Sequence, residues 1–315
     1  MRIAVIGAGG VGGFLGGLLA RAGHDVAFLA RGPHLLAIRQ RGLQVRSPQA
    51  GTFTVHPLAS DDPGDLGERE LALLGVKMYD FAAAAEAARH LLAPNGRAVT
   101  IQNGLDAPDE LAAAIGPDRV IAGTAAIEAT ILEPGVIGHL IPVHQLRLAA
   151  LQGPPTEPLN QLAAVFREAG IAAATAPDGR QALWEKMGIL VPFATLTSAG
   201  NLTLGDILSV PEAEELFARL TTELLAVASA CGHDVAAAVA AYRALVAQNA
   251  SAMAGFTSSM NRDFCAGKRH TELEWITGKL VRLGVESRVD VTTHQTLYGL
   301  LKARTHQRTH QREDA

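Results

Sequence analysis

The chain has 315 residues, 48% hydrophobic and 18% charged, which is enough apolar material for a large core and, at the usual domain size, for two domains. A formal net charge of -4 argues against a nucleic-acid-binding protein, which would usually show a basic field. The two cysteines, Cys231 and Cys265, have no metal-ligand spacing, and so few thiols fit a reducing compartment. We therefore expect a cytoplasmic protein with no metal site and no nucleic-acid partner.

Residues 3–20 carry no charge and directly follow Met1 and Arg2, a length that alone would admit a membrane span or a signal peptide. Seven of these residues are glycine, however, and they cluster between Gly7 and Gly17. We therefore interpret the segment as part of a folded domain and expect neither membrane insertion nor export.

Short apolar runs that end in glycine or polar residues predict buried strands of a parallel sheet at 2–7, 23–31, 70–77 and 98–104. A helical stretch follows the first strand as far as Arg21, and an alanine-rich helix is predicted within 80–96. Strands that alternate with helices are typical of crossover units in a parallel sheet.

The pattern changes at about Val120, where three successive strands without intervening helices predict a meander that extends the sheet. An amphipathic helix follows at 158–170, and from Arg180 onward the periodicity is almost entirely helical. The predicted fold is α/β: a doubly wound sheet domain at 1–175, an all-helical domain at 176–305 and a polar tail at 306–315.

The first strand is followed by the spacing GxGxxG, formed by Gly7, Ala8, Gly9, Gly10, Val11 and Gly12. Gly7 would permit a tight turn, Gly9 would let a pyrophosphate approach the backbone, and Gly12 would let helix and strand pack closely. The helix N-terminus offers N–H groups and partial positive charge to the phosphates. The motif predicts a Rossmann-type dinucleotide site, the alternative being a glycine-rich packing turn.

The residue at the end of the second strand indicates which of the two nicotinamide cofactors, NAD(H) or NADP(H), the site would bind. An acidic residue there would bind a ribose 2′-hydroxyl, but Arg31 occupies that end and Asp25 lies at the other. Arginine suits a 2′-phosphate, and Lys77, at the end of another strand, would add a second cation. We therefore predict NADP(H) in preference to NAD(H), with a solvated surface lysine as the alternative reading of Lys77.

The order of these motifs resembles the ketopantoate reductase (2-dehydropantoate 2-reductase) family over nearly the whole chain. The matching features are GAGGVG, the Arg31 position, Val76-Lys77, QNG at Gln102 to Gly104, LWEK at Leu183 to Lys186, SSM at Ser258 with Asp263, and TELE at Thr271 to Glu274. Each motif is weak alone, but the order and spacing together are specific.

The resemblance implies an N-terminal Rossmann domain, an all-helical C-terminal domain and a substrate cleft between them. It implies reduction of 2-dehydropantoate to pantoate by NADPH, in vitamin B5 (pantothenate) biosynthesis. By resemblance, Lys186 is the catalytic lysine, Glu272 the active-site glutamate, Asn103 the asparagine near nicotinamide and substrate, and Ser259 a substrate-binding serine. Arg31 and Lys77 match the contacts to the 2′-phosphate.

Elementary chemistry agrees with a catalytic role for Lys186, which enters the uncharged run 187–194. Hydride addition to a ketone leaves negative charge on oxygen, which an ammonium group stabilises and protonates. An apolar setting disfavours the charged form, whereas pairing with Glu272 would favour it, and the sequence does not decide between the two effects. The alternative is a structural lysine whose head extends into water.

The chain departs from the family at the positions four and eight residues after the lysine. Asparagines usually stand there and share the helical face of the lysine, but this chain has Leu190 and Ala194. Nearby hydroxyls at 195, 197 and 198 lie on other faces, although Pro192 could bend the helix and re-aim them. The leading rival is therefore reduction of a more apolar 2-keto acid. One extra residue before Glu272 also makes Glu274 an alternative to it.

Two further readings remain open. A non-catalytic NADP(H)-sensing protein would have lost its substrate site, and the presence of Lys186, Glu272, Asn103 and Ser259 speaks against it. A related 3-hydroxyacid dehydrogenase would pair its lysine with an asparagine four residues later, and Leu190 speaks against that. The alanine-rich helical domain could pack against a second copy as a homodimer, because periodicity does not separate a core face from an interface.

Overall fold

A computed structural model describes residues 1–313, with side chains described for 1–306. The chain divides into two compact units. The first unit comprises Met1–Gln102 and Asp106–Ala182, and the second comprises Asn103–Leu105 together with the chain from Leu183 onward. The first unit is α/β and the second is helical, so the predicted fold class is confirmed.

The first unit is built on a ten-stranded sheet. Its strands are β1 Arg2–Ile6, β2 Asp25–Leu29, β3 Leu43–Ser47, β4 Gly51–Val55, β5 Leu58–Ser60, β6 Arg69–Leu74, β7 Leu92–Thr100, β8 Val120–Glu133, β9 Val136–Ala150 and β10 Ala172–Thr175. Their order is β4-β3-β9-β8-β7-β6-β1-β2-β5, and β10 pairs with β9. The central run from β8 to β5 is parallel throughout, so the carboxyl ends of β1, β2 and β6 meet at one edge.

Helices accompany this sheet in the predicted alternation. They are α1 Gly10–Arg21, α2 Gly32–Arg41, α3 Phe81–Leu91, α4 Ala107–Ile115 and α5 Glu157–Glu168. In α1, Phe14, Leu15, Leu18 and Leu19 are all essentially buried in the core that also contains the apolar β1 residues. Each such side chain contributes roughly 1.5–3 kcal/mol to folding, so α1 is fixed against the sheet by packing.

The predicted meander does extend the sheet with antiparallel strands. Its strand count is wrong, because two of its three predicted strands form the single strand β9. β8 and β9 pair antiparallel, and the register jumps where Ala129 faces His139 and Ile127 faces His144. Residues 140–143, which include Pro142, lie in this irregularity. Proline removes a ladder donor, but a bulge accommodates it without ending the strand.

Helices make up the second unit, with α6 Gly179–Gly200 beginning just before its boundary. The others are α7 Leu204–Ser209, α8 Pro211–Ala230, α9 Ala236–Gln248, α10 Ala250–Met253, α11 Ser259–Cys265, α12 Thr277–Glu286 and α13 Thr292–Glu313. α13 continues through the predicted polar tail to its last described residue, since helix propagation adds a backbone hydrogen bond per residue without needing an apolar face. Residues 314–315 lie outside the described part.

No helix within the described residues is both long and apolar enough to cross a membrane. Over the same residues, no group of three or more His, Cys, Asp or Glu side chains is placed to hold a metal ion.

Candidate cofactor and substrate sites

The turn after β1 depends on two glycines. Gly7 has a φ of +98°, and a Cβ added to it would lie 2.7 Å from Val76 Cγ1. A Cβ on Gly12 would lie 2.2 Å from the Gly7 carbonyl oxygen and 3.3 Å from Val5 Cγ1. Real Cβ atoms essentially never come closer than 3.0 Å to such neighbours, so a side chain at Gly7 would clash with the segment after β6, and one at Gly12 would clash with the turn after β1. These are the tight turn and the close packing that the GxGxxG spacing predicts.

Gly9 differs from these two because its surroundings are open. It is the N-cap of α1, and a Cβ there would meet only the Gly75 carbonyl oxygen, at 3.8 Å. α1 has no side-chain cap and no acidic residue in its first turn. The first N–H groups of a helix have no partner within it, so this turn fits the phosphates of a dinucleotide.

The remaining residues of the motif fix the loop from other sides. Ala8 is buried, and Val11 packs against the core as a partly buried residue. A Cβ on Gly10 would lie 2.1 Å from the Ala129 carbonyl oxygen of β8, a close approach that the motif spacing does not predict. The loop is thus held against β8 as well as against the strand that precedes it.

Arg31 lies at the end of β2, where it is the N-cap of α2 and its side chain is 80% exposed. Its Nη2 donates to Asp80 Oδ2 at 2.8 Å. Lys77 is half-buried in the segment after β6, three residues before Asp80. The Arg31–Asp80 ion pair therefore joins the two segments that carry the predicted phosphate-binding cations.

Gln102, quoted only as part of the QNG motif, has a specific structural role. Its amide nitrogen donates to the carbonyls of Leu74 and Val76 at 2.6 and 3.0 Å, and its amide oxygen accepts from the Ile101 N–H at 3.0 Å. The side chain is 5% exposed, so the bonds to Leu74 and Ile101 are shielded from water, and the bond to Val76 is partly shielded. Gln102 thus fastens the end of β7 to the end of β6 immediately before Asn103.

Lys186 lies on α6 and is half-buried. Leu190 and Ala194 follow at one and two turns on the same face, Leu190 half-buried and Ala194 fully buried. Pro192 lies inside this continuous helix. The face that carries the lysine is therefore apolar at the two positions where the family usually has asparagine.

The hydroxyls near this face are engaged in the packing of the second unit. Thr195 Oγ1 lies 2.8 Å from Thr277 Oγ1, and Thr197 Oγ1 lies 2.9 Å from Ser258 Oγ. These four side chains are buried, as is Ser198. The first pair ties α6 to the start of α12, and the second ties it to the N-cap of α11. The hydroxyls of Thr195 and Thr197 are thus already hydrogen-bonded within the unit, so they do not take the place of the missing amides.

The two glutamates that the sequence left as alternatives have different surroundings. Glu272 is 2% exposed, and its carbonyl oxygen accepts the N–H groups of Trp275 and Ile276 just before α12. The Glu274 carboxylate, in contrast, is bound by two side chains of α13: Tyr298 Oη and Lys302 Nζ donate to it at 2.7 and 2.8 Å. Partial burial would raise the pKa of Glu274, but hydrogen bonds from Lys302 and Tyr298 outweigh it, so the pKa is lowered. Glu274 thus belongs to a structural ion cluster.

Ser258 and Ser259 also differ in burial and in role. Ser258 caps α11, because its hydroxyl accepts the Asn261 N–H at 3.0 Å, and it is buried. Ser259 is the first residue of the helix and remains partly exposed. Asn103 is likewise partly exposed and belongs to the second unit, next to Gly104, whose Cβ position lies 3.1 Å from the Trp275 carbonyl oxygen.

The predicted site residues fall into two sets. The motif glycines, Arg31 and Lys77 lie in the first unit, whereas Lys186, Glu272, Asn103 and Ser259 all lie in the second. The first set lies at one sheet edge and comprises the start of α1 and two cationic side chains. The second combines a half-buried ammonium, a buried carboxylate, an amide and a hydroxyl, which can bind and protonate a polar substrate.

Two family models match the chain. The model described as ketopantoate reductase PanE/ApbA matches residues 3–152, and that described as ketopantoate reductase PanE/ApbA C terminal matches residues 178–305. A 2-dehydropantoate 2-reductase of Halobacterium salinarum is 30% identical over 303 residues, which cover 96% of this chain and 98% of that protein. The chain belongs to the ketopantoate reductase family. Enzymes of this family are pyridine-nucleotide-dependent oxidoreductases that act on CH–OH groups, with small keto acids as substrates.

Solved structures agree with this membership. The PanE/ApbA family ketopantoate reductase from Ralstonia eutropha JMP134 is 29% identical, has a TM-score of 0.88, and is matched over 98% of this chain and 100% of its own. D-mandelate dehydrogenase, solved with NADH and anilino(oxo)acetate, has a TM-score of 0.89 at 18% identity over 98% and 99% of the two chains. At that identity the second likeness concerns the fold alone.

Proposed function

We propose that this family member reduces 2-dehydropantoate to pantoate with NADPH. The observation that supports the proposal is the set Lys186, Glu272, Asn103 and Ser259, all of which belong to the second unit. The relatives named 2-dehydropantoate 2-reductase support the same substrate. The role of the first unit, in this proposal, is to bind the cofactor, and that of the second is to bind and protonate the keto acid. We place the enzyme in the cytoplasm, as its few cysteines suggest.

Lys186 is the proposed general acid. When bound, NADPH would supply the hydride that reduces the keto carbon, and the carbonyl oxygen would then need a proton. The ammonium of Lys186 stabilises the growing negative charge and donates that proton, so that keto acid, NADPH and one proton yield hydroxy acid and NADP⁺. Glu272, a buried carboxylate, orients the lysine, and the partly exposed Asn103 and Ser259 bind the polar groups of the substrate.

The proposed cofactor is NADP(H). The first turn of α1 offers uncapped N–H groups to the pyrophosphate, which Gly9 leaves room to approach. Arg31 and Lys77 are the proposed contacts of the 2′-phosphate, and the ion pair between Arg31 and Asp80 supports their placement at one sheet edge. Guanidinium groups bind phosphate through paired, charge-assisted hydrogen bonds.

A more apolar 2-keto acid is the second candidate substrate, and the α6 face favours it. Leu190 and Ala194 provide no hydrogen bond to a substrate hydroxyl, and Thr195 and Thr197 are engaged with Thr277 and Ser258. A site that hydrogen-bonds a hydroxyl rejects analogues without it strongly, whereas an apolar site discriminates weakly. The reaction type is thus better supported than the identity of the side chain.

Initial rates of NADPH oxidation across a panel of 2-keto acids test both candidates. The panel compares 2-dehydropantoate with 2-oxoisovalerate, which lacks its hydroxymethyl group, and with a bulkier apolar 2-keto acid. We expect the highest kcat/KM for 2-dehydropantoate. A higher value for the apolar acids would establish the second candidate, and tight NADPH binding without turnover of any of them would contradict both.

A further inference from the structure

Asp80 places a negative charge on the guanidinium proposed to bind the 2′-phosphate. Its Oδ2 lies 2.8 Å from Arg31 Nη2, and its side chain is only 34% exposed, against 80% for Arg31. The carboxylate is therefore the more restrained partner of the pair. Since Arg31 ends β2 and Asp80 follows β6, the pair lies at the sheet edge that includes the end of β1.

The local backbone explains why the carboxylate stays there. Residues 78–80 form a single 3-10 turn, closed by a hydrogen bond from the Asp80 N–H to the Lys77 carbonyl oxygen at 3.0 Å. Asp80 is also the N-cap of α3, without a side-chain cap bond of its own. The same short turn thus presents a cation at its first residue and an anion at its last.

The Arg31–Asp80 ion pair would interact differently with NADPH, which carries the 2′-phosphate, and with NADH, which does not. The phosphate of NADPH must share or displace Asp80 to reach Arg31, and its own negative charge is repelled by the carboxylate. The 2′-hydroxyl of NADH carries no charge and can donate a hydrogen bond to a carboxylate. The ion pair therefore weakens the binding of NADPH and leaves the binding of NADH unchanged.

We propose that Asp80 is a specificity-determining residue that narrows the preference of this enzyme for NADPH over NADH by competing with the 2′-phosphate for Arg31. The inference depends on the proposed role of Arg31 as a phosphate ligand. Because Arg31 is largely exposed, the competition is partly screened by solvent and salt. The effect is thus moderate in size and larger at low ionic strength.

The experiment measures dissociation constants of NADPH and NADH, by quenching of intrinsic fluorescence, for the full-length wild type and three variants. Asp80→Asn removes the charge at nearly constant volume and keeps a good N-cap residue for α3. Asp118→Asn makes the same change at an exposed aspartate elsewhere in the first unit and is the control. Arg31→Ala tests the cofactor assignment separately.

We expect Asp80→Asn to raise the ratio of the NADH to the NADPH dissociation constant about fivefold, and less at high salt, while Asp118→Asn leaves it unchanged. An unchanged or lower ratio in Asp80→Asn overturns the inference. If Arg31→Ala still weakens NADPH selectively in that case, the proposed cofactor stands and only the inference fails. If Arg31→Ala has no selective effect, Arg31 is not the phosphate ligand, and both that assignment and the inference about Asp80 are wrong.

Discussion

The glycine loop after β1 and the Lys186 face of α6 contain the two most informative motifs of the chain, and they constrain function in different ways. In the loop, backbone atoms would form the proposed cofactor site, and an added Cβ at Gly12 or Gly7 would lie 2.2 or 2.7 Å from its nearest neighbour, which explains why both positions are glycine. On α6, side chains would form the proposed site, and the helix is continuous with Leu190 and Ala194 at the two positions in question. Backbone sites thus tolerate little change, whereas side-chain sites can change substrate without changing fold.

The largest expected effect is on the side-chain site. Lys186→Ala removes the proposed general acid, and we expect kcat to fall about 10³-fold with little change in NADPH affinity, since general acids contribute roughly 10²–10⁴-fold. Lys279→Ala, at another half-buried lysine of the second unit, is the control. Steady-state kinetics with 2-dehydropantoate check this. A variant that keeps most of its kcat would exclude Lys186 as the acid.

Two single-methyl additions in the loop distinguish packing from ligand binding. Gly12→Ala would force a Cβ against the Gly7 carbonyl oxygen, so we expect a loss of about 3 kcal/mol in the free energy of unfolding. Gly9→Ala meets nothing closer than 3.8 Å, so its stability should stay within about 1 kcal/mol of wild type while NADPH affinity drops about tenfold. Urea unfolding and cofactor titration measure the two effects. Equal losses of stability would contradict the proposed division of roles.

Introducing one amide on α6 tests whether the Lys186 face determines the substrate. Leu190→Asn places a hydrogen-bonding group on the face of Lys186 at a half-buried position. We expect kcat/KM for 2-dehydropantoate, relative to 2-oxoisovalerate, to rise about tenfold, because the amide can bind the substrate hydroxyl. Leu245→Asn, at an exposed leucine of α9, makes the same swap away from the site. No change in the ratio would mean that Leu190 does not face the substrate.

The smallest expected effect concerns acid stability of the first unit. Burial lowers the pKa of His139 below 6.5; His144 nearby adds to this, and the bond to the Val143 carbonyl opposes it. Because the folded-state pKa lies below the unfolded one, the unfolded chain binds more protons once the pH falls below about 6.5, and the free energy of unfolding decreases there.

Urea unfolding at about pH 7.5 and about pH 5 measures this decrease, and His139→Gln, which cannot gain a charge, should show a smaller one. An equal decrease in wild type and variant would assign the acid sensitivity to other groups.

The fold class could be predicted from the sequence because apolar periodicity and glycine spacing are local signals. The merging of two predicted strands into β9 could not be predicted in this way. It depends on the pairing of β8 with the residues before and after the irregularity in β9, and that pairing is not a local signal. The same limit applies to the site. Gly7 and Gly12 are required by the adjacent turn, whereas the bonds of Gln102 and Asp80 depend on segments far away in sequence. The catalytic role of Lys186 stays a prediction.

The pairing of β3 has a consequence for the order in which the chain folds during synthesis. β3 and β4 form an antiparallel hairpin early in the chain, but β3 obtains its other neighbour only when β9 emerges, since Gln44 pairs with Val136. Until the ribosome has delivered that strand, one edge of the hairpin has unpaired backbone donors and acceptors, which are prone to wrong partners. The nascent protein is therefore open to wrong strand pairing at the β3 edge in the interval before β9 is made.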